Sequence, residues 1–386
     1  MSCRPLSVIV AIIGVGSMLL DSPIAMAQAE ENLIDLGAVA PGKGINNNGQ
    51  VVLQNYWYSQ GTLTPFPNGF TGNAINASGH IAGTYGIYYY GTVTALPTIA
   101  PGTGYSFPDP SAVAINDSGA VTIEYAFDSV ANLSALYSNG TLTTIIPTFG
   151  CNIGNGVQVT AQAINDSGQI TGGAPAEEYS CNEDSTLLVA YIYEPDKPTT
   201  DLGITGAGNA INASGEVTGV EDMPATGAFL YSDGKVTLLP NTANCSGNGI
   251  NTSGFIVGTC NKYAFFYNGD TTIDLNTLVQ STDPLKPYVT LTDARGINDS
   301  GLVIVNGIDS RDKSNHAYLF QVSSTSSSSG SSSGGSSKGG GSLDSLSLSF
   351  LIGMLALRRL RMIRGKRDAG WNSLALGSGG KRAPEE

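Results

Sequence analysis

Residues 163–172 read Ala-Ile-Asn-Asp-Ser-Gly-Gln-Ile-Thr-Gly, and this stretch decides the fold. A short strand ends in Ile-Asn, the chain turns through Asp-Ser-Gly, and a second apolar strand begins. The Asn side chain suits a bond to the backbone of its own turn, and the Gly supplies the positive φ that the turn needs. The phrase Ile-Asn-x-[Ser/Asn]-Gly occurs seven times, at Ile45–Gly49, Ile75–Gly79, Ile115–Gly119, Ile164–Gly168, Ile211–Gly215, Ile250–Gly254 and Ile297–Gly301. Successive starts are 30, 40, 49, 47, 39 and 47 residues apart. That period belongs to propeller blades of four strands rather than to helical solenoids. The abundance of Gly, Asn and β-branched residues points the same way.

Each repeat has one internal order. After the turn comes a short apolar strand, such as Phe255-Ile256-Val257-Gly258, and then a variable loop. An aromatic strand follows, as in Tyr56-Trp57-Tyr58, Tyr88-Tyr89-Tyr90, Ala228-Phe229-Leu230-Tyr231 and Ala317-Tyr318-Leu319-Phe320. A turn then leads to an alternating fourth strand, as in Lys235-Val236-Thr237-Leu238-Leu239. The seventh repeat has no fourth strand, but a copy of one stands alone at Asn32-Leu33-Ile34-Asp35-Leu36. The expected fold is therefore all-β: a seven-bladed β-propeller of four-stranded blades, closed by the N-terminal strand so that no sheet edge stays open.

The 386 residues include 50 Gly and only 13% charged side chains, with a net charge of −13. Between Gln28 and Ser323 there are 26 acids and 8 bases, a balance of −18. Such a surface excludes nucleic acid as an expected partner and makes binding of any basic partner salt-sensitive.

Both ends read as targeting segments. Arg4, the apolar run Leu6–Leu20 and Ala25-Met26-Ala27 form a signal peptide over residues 1–27. The repeats occupy 28–322. Residues 323–338 are a flexible Ser/Gly-rich linker. Then come Gly339, Gly340 and Gly341, an apolar run from Leu343 to Leu357, and Arg358, Arg359, Arg361, Arg364, Lys366 and Arg367. Fifteen helical residues reach about 22 Å, short of the roughly 30 Å hydrocarbon core. The basic cluster would stay on the cytoplasmic side. Residues 368–386 form a tail. In an exported chain the four cysteines after the signal are expected to pair within their repeats, Cys151 with Cys181 and Cys245 with Cys260.

The A-I-N-x-x-G phrases with their aromatic strands resemble the extracellular HAF repeat family, a resemblance that covers all seven units. It implies a repeat scaffold and brings no reaction with it. The segment 339–367 resembles the GlyGly-CTERM sorting signal of Gram-negative bacteria. That resemblance implies transient anchoring in the membrane by the C-terminal helix. Cleavage near the glycines by a rhomboid-like protease would then release the protein to the cell surface or medium.

Candidate functional residues are few. Asn46, Asn76, Asn116, Asn165, Asn212, Asn251 and Asn298 could ring a channel and bind a ligand or Ca²⁺. The structural reading is favoured, because a site is seldom repeated seven times whereas a turn must be. The residue after each Asn varies, which does not suit a fixed-carboxylate metal loop. Glu177, Glu178, Glu183 and Asp184, around Cys181, are a candidate Ca²⁺ position or simply a solvated acidic loop. His80 and His316 occupy non-equivalent positions and have no partner at metal-ligand or triad spacing. The Ser-Gly pairs are turns rather than nucleophile elbows. Tyr56, Trp57, Tyr58 and Tyr88, Tyr89, Tyr90 offer rings for stacking on sugars, although aromatics in this strand mostly serve packing. No catalytic residue, resident cofactor or metal is assigned. The expected role is an exported, non-enzymatic binding or adhesion module for a surface polymer or protein. The alternatives are a carbohydrate-active hydrolase or lyase using carboxylates at a propeller face, and a structural envelope protein.

Overall fold

The repeated phrase builds the same turn at all seven positions. The Asn Oδ1 accepts the backbone N–H four residues on, as Asn165 does from Gln169 and Asn251 from Phe255, at 2.9 and 3.0 Å. The repeat Gly has φ between 71° and 83° in every copy, a region that a residue with a Cβ enters at a cost. Just before the turn, the first strand of each unit carries a register shift, around Lys43, Asn73, Val113, Gln162, Asn209, Asn248 and Arg295. A bulge of this kind bends the strand and sharpens its twist.

The computed structural model describes residues 33–39, 41–97, 110–127, 131–145, 159–175, 187–223 and 226–322. They all belong to the first of two compact units, Met1–Thr325 and Ser326–Glu386. The segments 1–27, 323–338, 339–367 and 368–386 lie outside the described residues, as do Cys151, Cys181, Glu177, Glu178, Glu183, Asp184, Gly339, Gly340 and Gly341. No helix among the described residues is long and apolar enough to cross a membrane.

Strands dominate, and every described pairing between them is antiparallel. Four of the sheets follow chain order with four strands each, over 42–65, 72–95, 110–144 and 245–274. The sheet of the seventh unit is ordered differently. Its strands Val289–Ile297, Leu302–Asp309 and Ser314–Gln321 are completed by Leu33–Asp35, with Leu33 opposite Phe320 and Asp35 opposite Tyr318. Units four and five merge into one sheet of seven strands, because Thr200–Ile211 is one continuous strand. Its beginning pairs with Leu188–Tyr193 and its remainder with Val217–Met223. Gly206 lies at this handover with φ 131°, and a Cβ there would stand 2.0 Å from the Val220 carbonyl oxygen, so only glycine fits.

The core lies between units rather than inside them. Val52 and Phe66 of unit one meet Phe70, Ile81 and Tyr88 of unit two. Val257, Phe266 and Leu275 of unit six meet Ala294, Val303, Tyr318 and Phe320 of unit seven, with Leu33 added. Ile304, Ala317 and Leu319 of unit seven meet Leu36, Val51 and Leu53 beside unit one. Each Val, Leu, Ile or Phe among them contributes about 1.5–3 kcal/mol on burial. Face-to-face packing of four-stranded antiparallel sheets, with the inner turns gathered around one cavity, is a β-propeller architecture. The disulfide Cys245–Cys260 joins directly opposed residues of the first two strands of unit six.

Candidate functional site

Three places bring chemistry-bearing side chains together. The first is the cavity of about 210 Å³ lined by the Ile-Asn-x triplets of all seven units. Besides accepting within its own turn, each repeat Asn donates from Nδ2 to the backbone carbonyl of the next repeat Asn. Asn46 donates to Asn76, Asn76 to Asn116, Asn116 to Asn165 and Asn165 to Asn212 at 2.9–3.1 Å. Asn212 donates to Asn251, Asn251 to Asn298 and Asn298 back to Asn46 at 3.0–3.2 Å. All seven are buried. Their amides are committed to the scaffold, and sequence reasoning missed the bond to the neighbouring unit. Outside this layer, Asp117, Asp166 and Asp299 accept N–H groups from the preceding unit, at Ala77, Asp117 and Thr252.

The second place is an exposed aromatic platform on units one and two. His80 immediately precedes the second strand of unit two, and Tyr89 ends the third, one step beyond the Ile81–Tyr88 pair. Their rings stack at 4.1 Å with planes 13° apart. Tyr90 stands edge-on to Tyr89 at 4.7 Å and to Trp57 at 5.6 Å. Tyr89 and Tyr90 are 43% and 63% exposed, whereas Tyr88 is buried in the core. Alternation sends Tyr88 inward and Tyr89 outward, and Tyr90, which leaves the strand into the turn at φ 42°, also faces solvent.

The third place is the seam where the N-terminal strand joins the last sheet. The expectation that both histidines lack partners is overturned here. His316 Nδ1 lies 2.9 Å from an Asp35 oxygen and Nε2 lies 2.9 Å from Asp312. Asp35 is far away in sequence, so no local spacing announced it. Burial opposes charge on His316, but the hydrogen bonds to Asp35 and Asp312 outweigh it and its pKa is raised. Asp312, bonded by the imidazole and by Ser314, is held down at about 2. Arg311 bonds both oxygens of the buried Asp309 and holds that carboxyl below its usual range. Leu33 N–H donates to Asp283, which the insert after the short helix Leu275–Leu278 supplies.

Elsewhere, Glu124 is half-buried beside Gln162, and burial raises its pKa against the lowering effect of the Ala161 N–H.

No family model matches the sequence, and no curated protein matches it. Among solved structures, the chain is similar to a gluconolactonase from Xanthomonas campestris, with 11% identity over 75% of this chain and 89% of that one, at a TM-score of 0.38. It is also similar to the extracellular domain of BT4673 from B. thetaiotaomicron, at 11% identity and TM-score 0.42, covering 74% of this chain and 40% of that one. TolB from Acinetobacter baumannii shares 10% identity at TM-score 0.32, over 70% of this chain and 58% of that one. Likeness at this level carries no argument about activity.

Proposed function

We infer that the chain is an exported binding module: a closed ring of seven four-stranded blades that holds a carbohydrate-bearing surface polymer on the platform of His80, Tyr89, Tyr90 and Trp57. Ring closure is supported by the pairing of Leu33–Asp35 with the last sheet, by the apolar contact between units seven and one, and by the return of the amide bonds from Asn298 to Asn46. Export is supported by the signal-like segment 1–27 and the GlyGly-like segment 339–367. The observation that carries the binding role is the set of exposed rings. Tyr89 and Tyr90 present large apolar area to solvent while neighbouring aromatic rings pack against them. Rings of this kind, with a phenol at the tip, suit the apolar face and hydroxyl rim of a sugar. Their position on paired strands limits the ordering cost of binding.

The test is calorimetric binding of the exported protein to a panel of bacterial surface polysaccharides. Tyr89→Ala and Tyr90→Ala should each weaken binding by about tenfold, equivalent to about 1.4 kcal/mol, with the melting midpoint unchanged. Full retention of binding by both variants overturns the assignment of the platform. Intact-mass analysis of the exported protein tests the sorting reading, which expects a C-terminus within 331–343.

A further inference from the structure

The seam of the last sheet carries a cluster that sugar binding does not use. Asp35 comes from the N-terminal strand, Asp309 from the second strand of the last sheet, and His316 and Tyr318 from its third. Asp35 stands opposite Tyr318, Gly307 opposite His316 and Asp309 opposite Ser314. With side chains alternating along each strand, Asp35, Asp309, His316 and Tyr318 share one face. One ligand atom each from Asp35, Asp309 and His316 lies within 4.8 Å of the other two.

A second observation is independent of the acidic groups. Tyr318 is fully buried, and its hydroxyl has no hydrogen-bond partner. The direction of the ring follows from Gly307: a Cβ there would lie 3.2 Å from Tyr318 Cε2. Gly307 sits between Val305, which is opposite Tyr318, and Asp309. The phenol therefore runs along the sheet toward Asp309. A buried hydroxyl aimed at carboxylates and bonding none of them leaves both its O–H and its lone pairs unused.

We propose that Asp35, Asp309, His316 and the Tyr318 hydroxyl form a binding site for a divalent cation of the zinc or manganese class, joining the N-terminal strand to the last sheet. The charge fits. Asp35, Asp309 and Asp312 carry three negative charges and Arg311 one positive, which leaves −2 when the imidazole is neutral. The donor set is carboxylate and phenol oxygen with one imidazole nitrogen, which suits Zn²⁺ or Mn²⁺ better than Ca²⁺ with its all-oxygen shell. The surrounding contacts also fit. His316 Nδ1 lies on the Asp35 side, toward the ion, while Nε2 faces Asp312 and donates to it. A carboxylate on the far nitrogen is the usual device for orienting a histidine ligand. Arg311 stands in for the cation when the ion is absent. Its side chain is 45% exposed on a turn, pairs with Asp309 and Asp35 and lies over the Tyr288 ring, so water and that ring remain to it when an ion displaces it, whereas the Asp309 side chain, 1% exposed, must keep a positive partner.

The experiment starts from full-length protein stripped with a chelator and then titrated with Zn²⁺, Mn²⁺ or Ca²⁺ alone, read by calorimetry and by thermal melting. Zn²⁺ or Mn²⁺ should bind one per chain and raise the midpoint by several degrees, with Ca²⁺ weaker. His316→Gln should abolish binding, and Asp312→Asn should weaken it by about 10–100-fold. Tyr318→Phe removes only the oxygen, so it should weaken binding without lowering the cation-free midpoint. Absence of any midpoint shift with all three cations overturns the proposal and leaves an ion-pair clasp. Binding that Tyr318→Phe and His316→Gln both retain overturns it as well, by placing the ion elsewhere. Polysaccharide binding by the same variants reports separately on the aromatic platform.

Discussion

Unit six and unit seven solve the same problem in opposite ways. The four strands of unit six follow one another over 245–274, and Cys245–Cys260 staples the first two. Unit seven borrows its fourth strand from the other end of the chain and has no staple. It is held by the Leu33 N–H to Asp283, by His316 to Asp35, and by Leu33 and Leu36 in the apolar layers on either side. A disulfide acts mainly on the unfolded chain, and its effect is local to the loop that it closes. The seam spans 281 residues between Asp35 and His316. Because the entropy of closing a loop grows only slowly with its length, a few buried side chains and directed polar bonds suffice for that distance.

The comparison breaks most readily at the seam. Deleting residues 28–37 removes Leu33 and Leu36 and uncovers Phe320, which should lower stability by on the order of 5 kcal/mol. Urea unfolding reads this directly, and an unchanged midpoint would mean that the strand is dispensable. Replacing Cys245 and Cys260 together by Ser opens a 15-residue loop and should remove about 3 kcal/mol. If the double variant loses more than the deletion, the order of importance of the two devices is reversed.

Smaller effects sharpen the contrast. Asn165→Ala leaves the Gln169 N–H without its acceptor and takes one of two donors from the Asn212 carbonyl, which keeps the Gly215 N–H, at a cost of about 2 kcal/mol. Asn298→Ala breaks the equivalent bond to Asn46 and should cost the same if the junction of units seven and one matches the others. A clearly smaller loss for Asn298→Ala would single out that junction as looser. The smallest effect concerns Glu124, whose pKa is raised in the fold by burial. A raised folded-state pKa means that the folded form holds the proton more tightly, so stability falls as pH rises through the window above the ordinary value of 4.5. Glu124→Gln should therefore be slightly more stable than the parent at neutral pH and equal to it at pH 4 and below. Equal midpoints at both pH values would show that the carboxylate is not penalised.

Much of this frame is legible in the sequence because turns are local. The Asn Oδ1 bond to its own turn and the positive φ of the repeat Gly follow from five consecutive residues. The unmatched strand at Leu33–Asp35 is legible because the repeat predicts how many fourth strands there should be. Other features depend on neighbours that sequence order does not supply. Asn Nδ2 reaches a carbonyl in the next unit, 30–49 residues on, and nothing within the phrase distinguishes that bond from solvent exposure. His316 reads as isolated because Asp35 lies 281 residues away and because Asp312, four residues before it, is one of many surface acids until the strand turns it toward the ring. The continuous strand Thr200–Ile211 joins two units that the repeat treats as separate, and the close approach of Gly206 to Val220 that permits it is not visible in sequence order. The platform was legible only in part. Tyr88, Tyr89 and Tyr90 are identical in type, and the side each one faces depends on the pairing of the strand.

The borrowed strand also decides how the molecule meets force. Leu33 stands opposite Phe320, so the point where the chain enters the last sheet and the point where it leaves lie side by side. Tension applied through the two ends pulls these strands apart sideways, and their bonds are loaded one after another rather than all together. The last sheet is therefore the one that such a load reaches first. A protein tethered at one end and gripping a polymer with units one and two would avoid that path, because the load would then enter through the side of the molecule.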